Sequence, residues 1–175
     1  MTTRRLYVDT PYGQVHVRTA GARGEGLPLV LLHQTASHSG MYESVMEQLQ
    51  ESYWCIAPDT PGYGGTAHPS EPGNIALYAR VIRAALRELD IDRCWLFGHH
   101  TGASIAVQML NDEPGLAEKL VLSGPPYLTQ AQIETLVPKV APVRLEEDGS
   151  HFMDVWDRIR AKAPHVPVHL THREA

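Results

Sequence analysis

Four short, uninterrupted apolar runs constrain the fold of this chain most. Unbroken apolar runs of this length are typical of strands buried on both faces of a parallel sheet. Between them lie stretches whose apolar residues recur at the helical spacing of three and four. The runs cover residues 28–32, 54–57, 94–97 and 120–122, and the helical stretches cover residues 41–49, 75–89 and 103–110. This rhythm predicts the α/β class, a mostly parallel sheet with helices on both faces, because right-handed crossovers place helices on both sides.

The two ends of the chain depart from this rhythm. Residues 5–9 and 14–18 alternate apolar and polar side chains, and turn-forming residues at 10–13 predict a hairpin whose two strands each have one wet face. Residues 129–137 look helical, and Ser150 is suited to cap a second helix that runs through residue 159. The C-terminal part is therefore expected to be a helical cap or lid rather than more sheet.

The composition excludes several classes of function. The 175 residues carry 15 basic and 20 acidic side chains, a formal net charge of −5, and 43% of them are hydrophobic. This describes one soluble globular domain without the clustered Lys and Arg that nucleic acid or an anionic membrane surface requires. The N-terminus has no apolar stretch behind its arginines, so we expect neither a signal peptide nor a membrane anchor, and a cytoplasmic protein. Cys55 and Cys94 lie inside apolar runs and are expected in the core.

The junction between the third apolar run and the helical stretch after it carries the most informative motif. Gly98 and Gly102 flank His100 at two residues on each side. Glycines at this spacing, where a strand turns directly into a helix, indicate a nucleophile elbow. Only His100 fits, because neither His99 nor Thr101 has glycine at both positions. We therefore expect His100 at a strained turn, with a side chain able to act as a general base or weak nucleophile.

Two further motifs precede this junction along the chain. Residues 29–35, Leu-Val-Leu-Leu-His-Gln-Thr, form a strand followed by a His-containing turn. Residues 57–66, Ala-Pro-Asp-Thr-Pro-Gly-Tyr-Gly-Gly-Thr, form a Pro-Gly loop after the next strand. With the motif at residues 98–102, these stretches resemble three motifs that occur in the same order in the α/β-hydrolase family. The resemblance covers residues 5 to about 127 and implies an α/β-hydrolase-like fold.

The resemblance also implies a site around His100. The backbone amides of Thr35 and Thr101 would form an oxyanion hole above the His100 ring. A small-molecule substrate would be bound beside them. The candidate substrate-binding residues are His33, Gln34, His99 and Ser123.

Two buried-looking residues near these motifs have a second interpretation. His33 is also suited to a turn role, in which its ring hydrogen-bonds the loop backbone. Asp59 is expected to order its own Pro-Gly loop through an Asx-type bond. Both roles would support the site without direct contact with the substrate.

Two departures separate this chain from the family pattern. His100 stands where the family places a serine, cysteine or aspartate nucleophile. In addition, the C-terminal strands that carry the acid and the catalytic histidine in the family are expected to be absent, so a Ser-His-Asp triad cannot be assembled. The expected organisation is an N-terminal part of an α/β-hydrolase core at residues 1–127, followed by a helical lid segment and truncated tail at residues 128–175.

The same absence predicts an interaction surface. Without further strands, the strand near Val121 would present an apolar edge with unpaired backbone groups. We expect this edge to pair with another copy in a homo-oligomer, or with a complementing chain.

The sequence leaves two functions open. The first is a hydrolase of a small, mostly apolar carbonyl substrate, an ester, lactone or thioester, with His100 at its centre, as the resemblance implies. The second is a non-catalytic protein of the same fold that binds a ligand or partner, or an inactive fragment. No metal is expected, because Pro167 breaks the helix that would align His165, His169 and His172. No cofactor is expected either, since the glycines of residues 62–65 lack the following Lys of a phosphate-binding loop.

Overall fold

The structure is a computed structural model that describes residues 3–136 and 144–162. Its strands are β1 (Arg4–Thr10), β2 (Gly13–Ala20), β3 (Leu29–Leu32), β4 (Cys55–Pro58), β5 (Cys94–His99) and β6 (Ala117–Ser123). They form one sheet in the order β1-β2-β4-β3-β5-β6. The pairs β4–β3, β3–β5 and β5–β6 are parallel. The pairs β1–β2 and β2–β4 are antiparallel and extend the sheet on the β4 side. The predicted hairpin and the four predicted strands are thus present, but the expectation that all four are buried on both faces is wrong for β6. Its residues 118–122 are exposed, because β6 is the last strand of the sheet in the described residues.

Three helices fill the connections between the parallel strands, and two more follow β6 in the described residues. They are α1 (Glu43–Leu49), which follows a 3-10 turn at Ser39–Tyr42, α2 (Ile75–Glu88), α3 (Thr101–Asp112), α4 (Gln130–Leu136) and α5 (Ser150–Lys162). Asn74 caps α2, since its side chain accepts a hydrogen bond from the Leu77 amide at 2.9 Å. Each predicted helical stretch therefore forms a helix, with boundaries shifted by a few residues.

Both faces of the central sheet are buried, which explains the unbroken apolar runs. Side chains alternate between the faces along each strand. One face of β3 and β4, with Val30, Leu32 and Ile56, packs in one core cluster with residues of α2 and α3. The other face, with Leu31 and Ala57, packs in a second cluster with Met46 of α1. The predicted α/β class, with helices on both faces of a mostly parallel sheet, is confirmed.

The two cysteines lie in these clusters, one on each face. Cys94 belongs to the cluster with α2 and α3, and Cys55 to the cluster with α1. Both are free and buried, as predicted. Burial raises the pKa of each thiol to about 11, so both remain protonated and behave as small apolar residues.

The prediction that both hairpin strands have a wet face is wrong for β2. This strand pairs with β1 on one side and β4 on the other, and its residues from Val15 onward are buried. The amide of His16 donates to Thr66 Oγ1 at 3.0 Å, and Arg18 forms an ion pair with Glu43 of α1 at 2.7 Å. The second face of β2 is dry because the loop after β4 and helix α1, both from later in the chain, cover it.

The strand β6 lies at the edge of the sheet. Within the described ranges it pairs with β5 alone. Its side chains Leu120, Val121 and Leu122 are 37%, 56% and 38% exposed. An apolar strand edge is therefore present where the sequence predicted one.

The chain divides into two compact units, Met1–Pro126 and Tyr127–Ala175. The first unit contains the sheet and helices α1 to α3, and the second contains α4 and α5. The three histidines considered as metal ligands, at positions 165, 169 and 172, lie outside the described residues. In the part of the chain that is described, no helix is both long and apolar enough to cross a membrane.

Candidate functional site

His100 lies between β5 and α3, at the N-terminal cap of α3. Its backbone has φ 49° and ψ −112°, a conformation that is strained for any residue with a side chain. The amide of His100 donates to the carbonyl of Ser123 on β6, and its carbonyl accepts from the amide of Ala103, each at 2.9 Å. His100 itself is exposed. The prediction of a strained strand-to-helix turn at His100 is confirmed.

The two flanking glycines are required by close approaches of the backbone. A Cβ atom on Gly102 would collide with the carbonyl oxygen of Leu32 at the end of β3. A Cβ on Gly98 would collide with the backbone of Gly102 and with the Cα of Ala103. Glycine at both positions therefore lets α3 start directly against β3 and β5, and the turn projects His100 from the carboxyl end of the sheet.

The loop after β3 contacts the start of α3 through two threonines. The hydroxyl of Thr35 donates to Thr101 Oγ1 at 2.7 Å. Nδ1 of His100 lies 3.2 Å from the same Thr101 oxygen. A short chain of hydrogen-bonding groups therefore joins Thr35, Thr101 and the imidazole of His100.

Two backbone donors accompany these side chains. The amide of Thr101 belongs to the first turn of α3, where backbone N–H groups have no intrahelical acceptor. Among the backbone hydrogen bonds of the described residues, none uses the amide of Thr35 or of Thr101. Unused backbone N–H groups of this kind stabilise negative charge that develops on a substrate oxygen.

His33 is buried under the loop that carries Thr35, at 1% exposure. The amide of Thr60 donates to Nε2 of His33 at 2.9 Å, and Nδ1 lies 2.7 Å from the carbonyl of Gln34. Since Nε2 accepts, the neutral ring carries its proton on Nδ1 and donates it to Gln34. Burial lowers the pKa of His33, which favours this neutral form. The ring serves the loop backbone, and a substrate contact by either nitrogen would break one of these bonds.

Asp59 is the anchor of the loop after β4. It is 1% exposed, its Oδ1 accepts from the Ser39 amide at 2.6 Å, and its Oδ2 accepts from the Gly65 amide at 2.9 Å. Nδ1 of His16 lies 2.7 Å from the same Oδ2. Burial alone would raise the pKa of Asp59, but these hydrogen bonds outweigh it and hold the pKa well below its ordinary value. The carboxylate is therefore ionised and fully engaged in structure.

His16 is a residue of this network that the sequence did not single out. The alternation of β2 assigned it to a solvent-facing position between Val15 and Val17. Its partner Asp59 is 43 positions away, and only the pairing of β2 with β4 brings them together. Asp59 orders its loop as predicted, but not through an Asx-type bond, because Pro61 two positions on has no N–H group to donate. Its loop bond goes instead to the amide of Gly65, and the bonds to His16 and Ser39 were not predicted.

His99 and Ser123 end the neighbouring strands β5 and β6 in register. Nδ1 of His99 lies 3.1 Å from Ser123 Oγ, and both residues are half-buried. They lie at the same carboxyl edge of the sheet as His100. Gln34 is also half-buried and uses its carbonyl to bind His33.

The acid partner of an ordinary catalytic histidine is missing from the described part of the site. Within residues 3–136 and 144–162, the His100 ring hydrogen-bonds to Thr101, and no carboxylate pairs with it. In the same ranges, no three His, Cys, Asp or Glu side chains are grouped so that they could hold a metal ion. The groups that the described part of the site presents are an imidazole, hydroxyls and backbone amides.

Comparisons with known proteins agree with this architecture. The family model of the alpha/beta hydrolase fold matches residues 28–158. A soluble epoxide hydrolase from Corynebacterium sp. (strain C12) is 31% identical over 109 residues, which cover 62% of this chain and 37% of the relative. Haloalkane dehalogenase 2 from Mycobacterium bovis is 28% identical over 117 residues, which cover 66% of this chain and 40% of the relative.

A solved structure extends the likeness over nearly the whole chain. A mutant N-acyl homoserine lactonase complexed with N-hexanoyl homoserine matches with a TM-score of 0.79 at 21% identity, covering 99% of this chain and 64% of that one. The chain spans less than half the length of the epoxide hydrolase and the haloalkane dehalogenase that it matches. The fold that the three sequence motifs predict is confirmed.

Proposed function

The chain belongs to the α/β-hydrolase fold family, and we propose that it hydrolyses a small carbonyl compound, an ester, lactone or thioester, at the turn that holds His100. One observation carries this proposal. An exposed imidazole stands at the strained strand-to-helix turn and is linked through Thr101 to Thr35. Among the backbone hydrogen bonds of residues 3–136 and 144–162, none uses the amide of either threonine. A base and two oxyanion donors are the minimum for hydrolysis of a carbonyl compound.

His100 acts as a general base in this proposal. Its Nε2 takes a proton from a water molecule as the water oxygen bonds to the carbonyl carbon, and the former carbonyl oxygen becomes an oxyanion. The amides of Thr35 and Thr101 stabilise that oxyanion. When the tetrahedral intermediate collapses, the bond to the leaving oxygen or sulfur breaks, and the imidazolium returns the proton to the leaving group.

Thr101 orients the base. For Nε2 to accept a proton, the neutral ring must carry its own proton on Nδ1, which then donates to Thr101 Oγ1 at 3.2 Å. The Thr101 oxygen also accepts from the Thr35 hydroxyl. The two hydroxyls therefore align the ring and brace the loop that carries the first oxyanion donor.

Substrate contacts come from the neighbouring carboxyl edge of the sheet in this proposal. His99 and Ser123, hydrogen-bonded to each other beside the turn, and Gln34 are suited to contact the polar part of the substrate. His33 is assigned to the loop backbone instead, because both its ring nitrogens are occupied. Residues 128–175 are proposed as a helical lid segment, to which α4 and α5 belong.

A second candidate function is ligand binding without turnover. The observation that favours it is the lack, in the described residues, of a carboxylate partner for the His100 ring. An unassisted imidazole is a weaker catalyst than one held by an acid. The same small carbonyl compounds would then bind as stable ligands.

Hydrolysis of p-nitrophenyl butyrate, a short-chain lactone and an aryl thioester tests the proposal. We expect slow, saturable turnover that falls about 100-fold in His100→Ala, the usual contribution of a general base. His68→Ala is the matched control, because it removes another exposed imidazole and corrects for background hydrolysis by surface histidines. Unchanged turnover in His100→Ala would contradict the proposal, and saturable binding without any turnover would favour the ligand-binding function.

A serine-directed fluorophosphonate provides an independent check. With histidine at the turn, we expect no covalent labelling of the protein. Robust labelling of Ser104 or Ser123 would assign the nucleophile to a different residue from the one proposed.

A further inference from the structure

We propose that His33 is a positioning residue whose ring sets the orientation of the Gln34–Thr35 peptide, so that the Thr35 amide faces the turn at His100. The proposal rests on the proposed function for what that amide does, but its geometric content is independent. His33 lies at the end of β3 and contacts no reacting atom. It would act on the reaction entirely through the backbone of the next two residues.

The two hydrogen bonds of the His33 ring fix its tautomer. The Thr60 amide is a donor, so Nε2 of His33 must be the acceptor at 2.9 Å. The proton of the neutral ring is then on Nδ1, which donates to the Gln34 carbonyl at 2.7 Å. Burial, which lowers the pKa of His33, disfavours the doubly protonated ring that would place two N–H donors face to face. The ring is therefore a fixed connector between the loop after β4 and one peptide group.

The planarity of that peptide group transmits the orientation. No cis peptide bond occurs in the described backbone, and a trans peptide directs its C=O and its N–H to opposite sides. The carbonyl of Gln34 points at the buried His33 ring. The amide of Thr35, in the same peptide plane, consequently points away from the buried ring. Thr35 itself is exposed and bonded to Thr101 at the start of α3.

The loop from His33 to Ser39 is anchored at both ends, which supports a fixed peptide orientation between them. Consecutive residues after β4 bind both of its ends: Thr60 binds His33, and Asp59 accepts from the Ser39 amide at 2.6 Å. Between these anchors Ala36 has φ 61°, a left-handed conformation that non-glycine residues seldom adopt. A loop that keeps such a residue is over-determined by its surroundings. The clamp at His33 is the anchor nearest to the Thr35 amide.

Two substitutions separate the two bonds of the ring. His33→Asn places an amide N–H near the position of Nδ1 and keeps a donor for the Gln34 carbonyl, while it loses the bond to Thr60. His33→Leu removes both bonds at similar volume. Arg83→Met is the matched control, because it removes a buried hydrogen-bonding side chain that binds Glu113 and the carbonyl of Ile91, remote from the turn.

The first measurement is structural and needs no activity. Long-range proton–nitrogen NMR of the wild-type chain should show the His33 proton on Nδ1, and a proton on Nε2 alone would overturn the proposal. Crystal structures of the variants should show the Gln34–Thr35 peptide retained in His33→Asn and rotated in His33→Leu. An unchanged peptide orientation in His33→Leu would also overturn it.

The second measurement is kinetic and uses p-nitrophenyl butyrate. We expect kcat to fall about 100-fold in His33→Leu, as for loss of an oxyanion donor, with little change in KM. His33→Asn should recover much of this loss, and Arg83→Met should keep kcat while lowering stability. Equal losses in all three variants would show that His33 contributes stability only. If wild-type protein shows no turnover, the proposed function fails, and the NMR and crystallographic outcomes still decide the role of His33.

Discussion

The hydroxyl of Thr35 donates a hydrogen bond to the hydroxyl of Thr101 at 2.7 Å. These residues are 66 positions apart, yet both follow the carboxyl ends of adjacent parallel strands, β3 and β5. Parallel pairing places such ends at one edge of the sheet, where open α/β folds bind their ligands. The bond therefore joins the two segments whose amides are proposed to act together.

A double-mutant cycle should detect this bond. Thr35→Val and Thr101→Val each remove one hydroxyl at nearly constant shape. We expect a coupling of about 0.5 to 1 kcal/mol in the free energy of unfolding, the net worth of one hydrogen bond. Urea denaturation of the two single variants and the double variant measures it. Strictly additive effects would show that the bond contributes nothing in solution.

Gly102→Ala should destabilise the protein although alanine favours helices. Helix propensity alone would stabilise the variant by up to about 1 kcal/mol. The new Cβ would overlap the Leu32 carbonyl, and because backbone yields little, we expect the overlap to prevail with a net loss of about 1 to 3 kcal/mol. Gly115→Ala is the control, since its Cβ would meet open space, and it should change stability by less than about 0.5 kcal/mol. Thermal unfolding of both variants makes the comparison.

Acidification should destabilise the fold through His33. Burial lowers the pKa of the folded-state ring below its ordinary value of 6.5, so the unfolded chain binds more protons in that interval. The stabilisation is fully present above pH 6.5 and is lost as the pH falls, at up to about 1.4 kcal/mol per pH unit. Urea unfolding between pH 5 and about pH 8 should show a shallower dependence in His33→Asn than in wild type. Parallel curves for the two proteins would contradict the assignment.

Replacing the buried carboxylate of Asp59 should lower the free energy of unfolding more than replacing an exposed carboxylate. In Asp59→Asn, one acceptor becomes an amide donor that faces the Gly65 amide or the His16 ring, so a buried donor loses its partner. We expect a loss of about 3 kcal/mol in unfolding free energy. Glu118→Gln, which disrupts the exposed ion pair with Arg93, should cost less than about 1 kcal/mol. Similar costs for the two variants would remove Asp59 from its anchoring role.

The edge of β6 should mediate self-association. Val121 is 56% exposed on β6, which pairs with β5 alone among the strands that the structure describes, and an apolar edge is a template for pairing. We expect sedimentation velocity to show concentration-dependent association that Val121→Lys weakens. Val107→Lys adds the same charge at a valine 49% exposed on α3 and should leave association unchanged. A wild-type chain that remains monomeric at all concentrations would refute the pairing.

The strands, helices and turn were predictable because their signals are local. Unbroken apolar runs indicate strands, and glycines on both sides of His100 indicate a tight turn. The approach that requires Gly98 comes from Gly102 and Ala103 nearby, whereas the approach that requires Gly102 comes from Leu32 on β3. The apolar run of β6 did not report burial, because its residues 120–122 are exposed. The hairpin was predictable for the same reason, but the environment of β2 was not. Whether its second face is wet depends on which strand pairs with it, and alternation within β2 carries no information about β4.

The sequence by itself determined the α/β class, the order of elements and the position of His100 at a strained turn. Only the tertiary structure decided that His33 serves the loop backbone and that His16 pairs with Asp59. A hydrogen bond needs a partner within about 3 Å in the right direction, and for buried polar side chains that partner comes from a segment brought close by strand order. The sequence contains residue types and their local spacing. The pairing of β2 and β3 on either side of β4 determines which polar groups come within hydrogen-bonding distance.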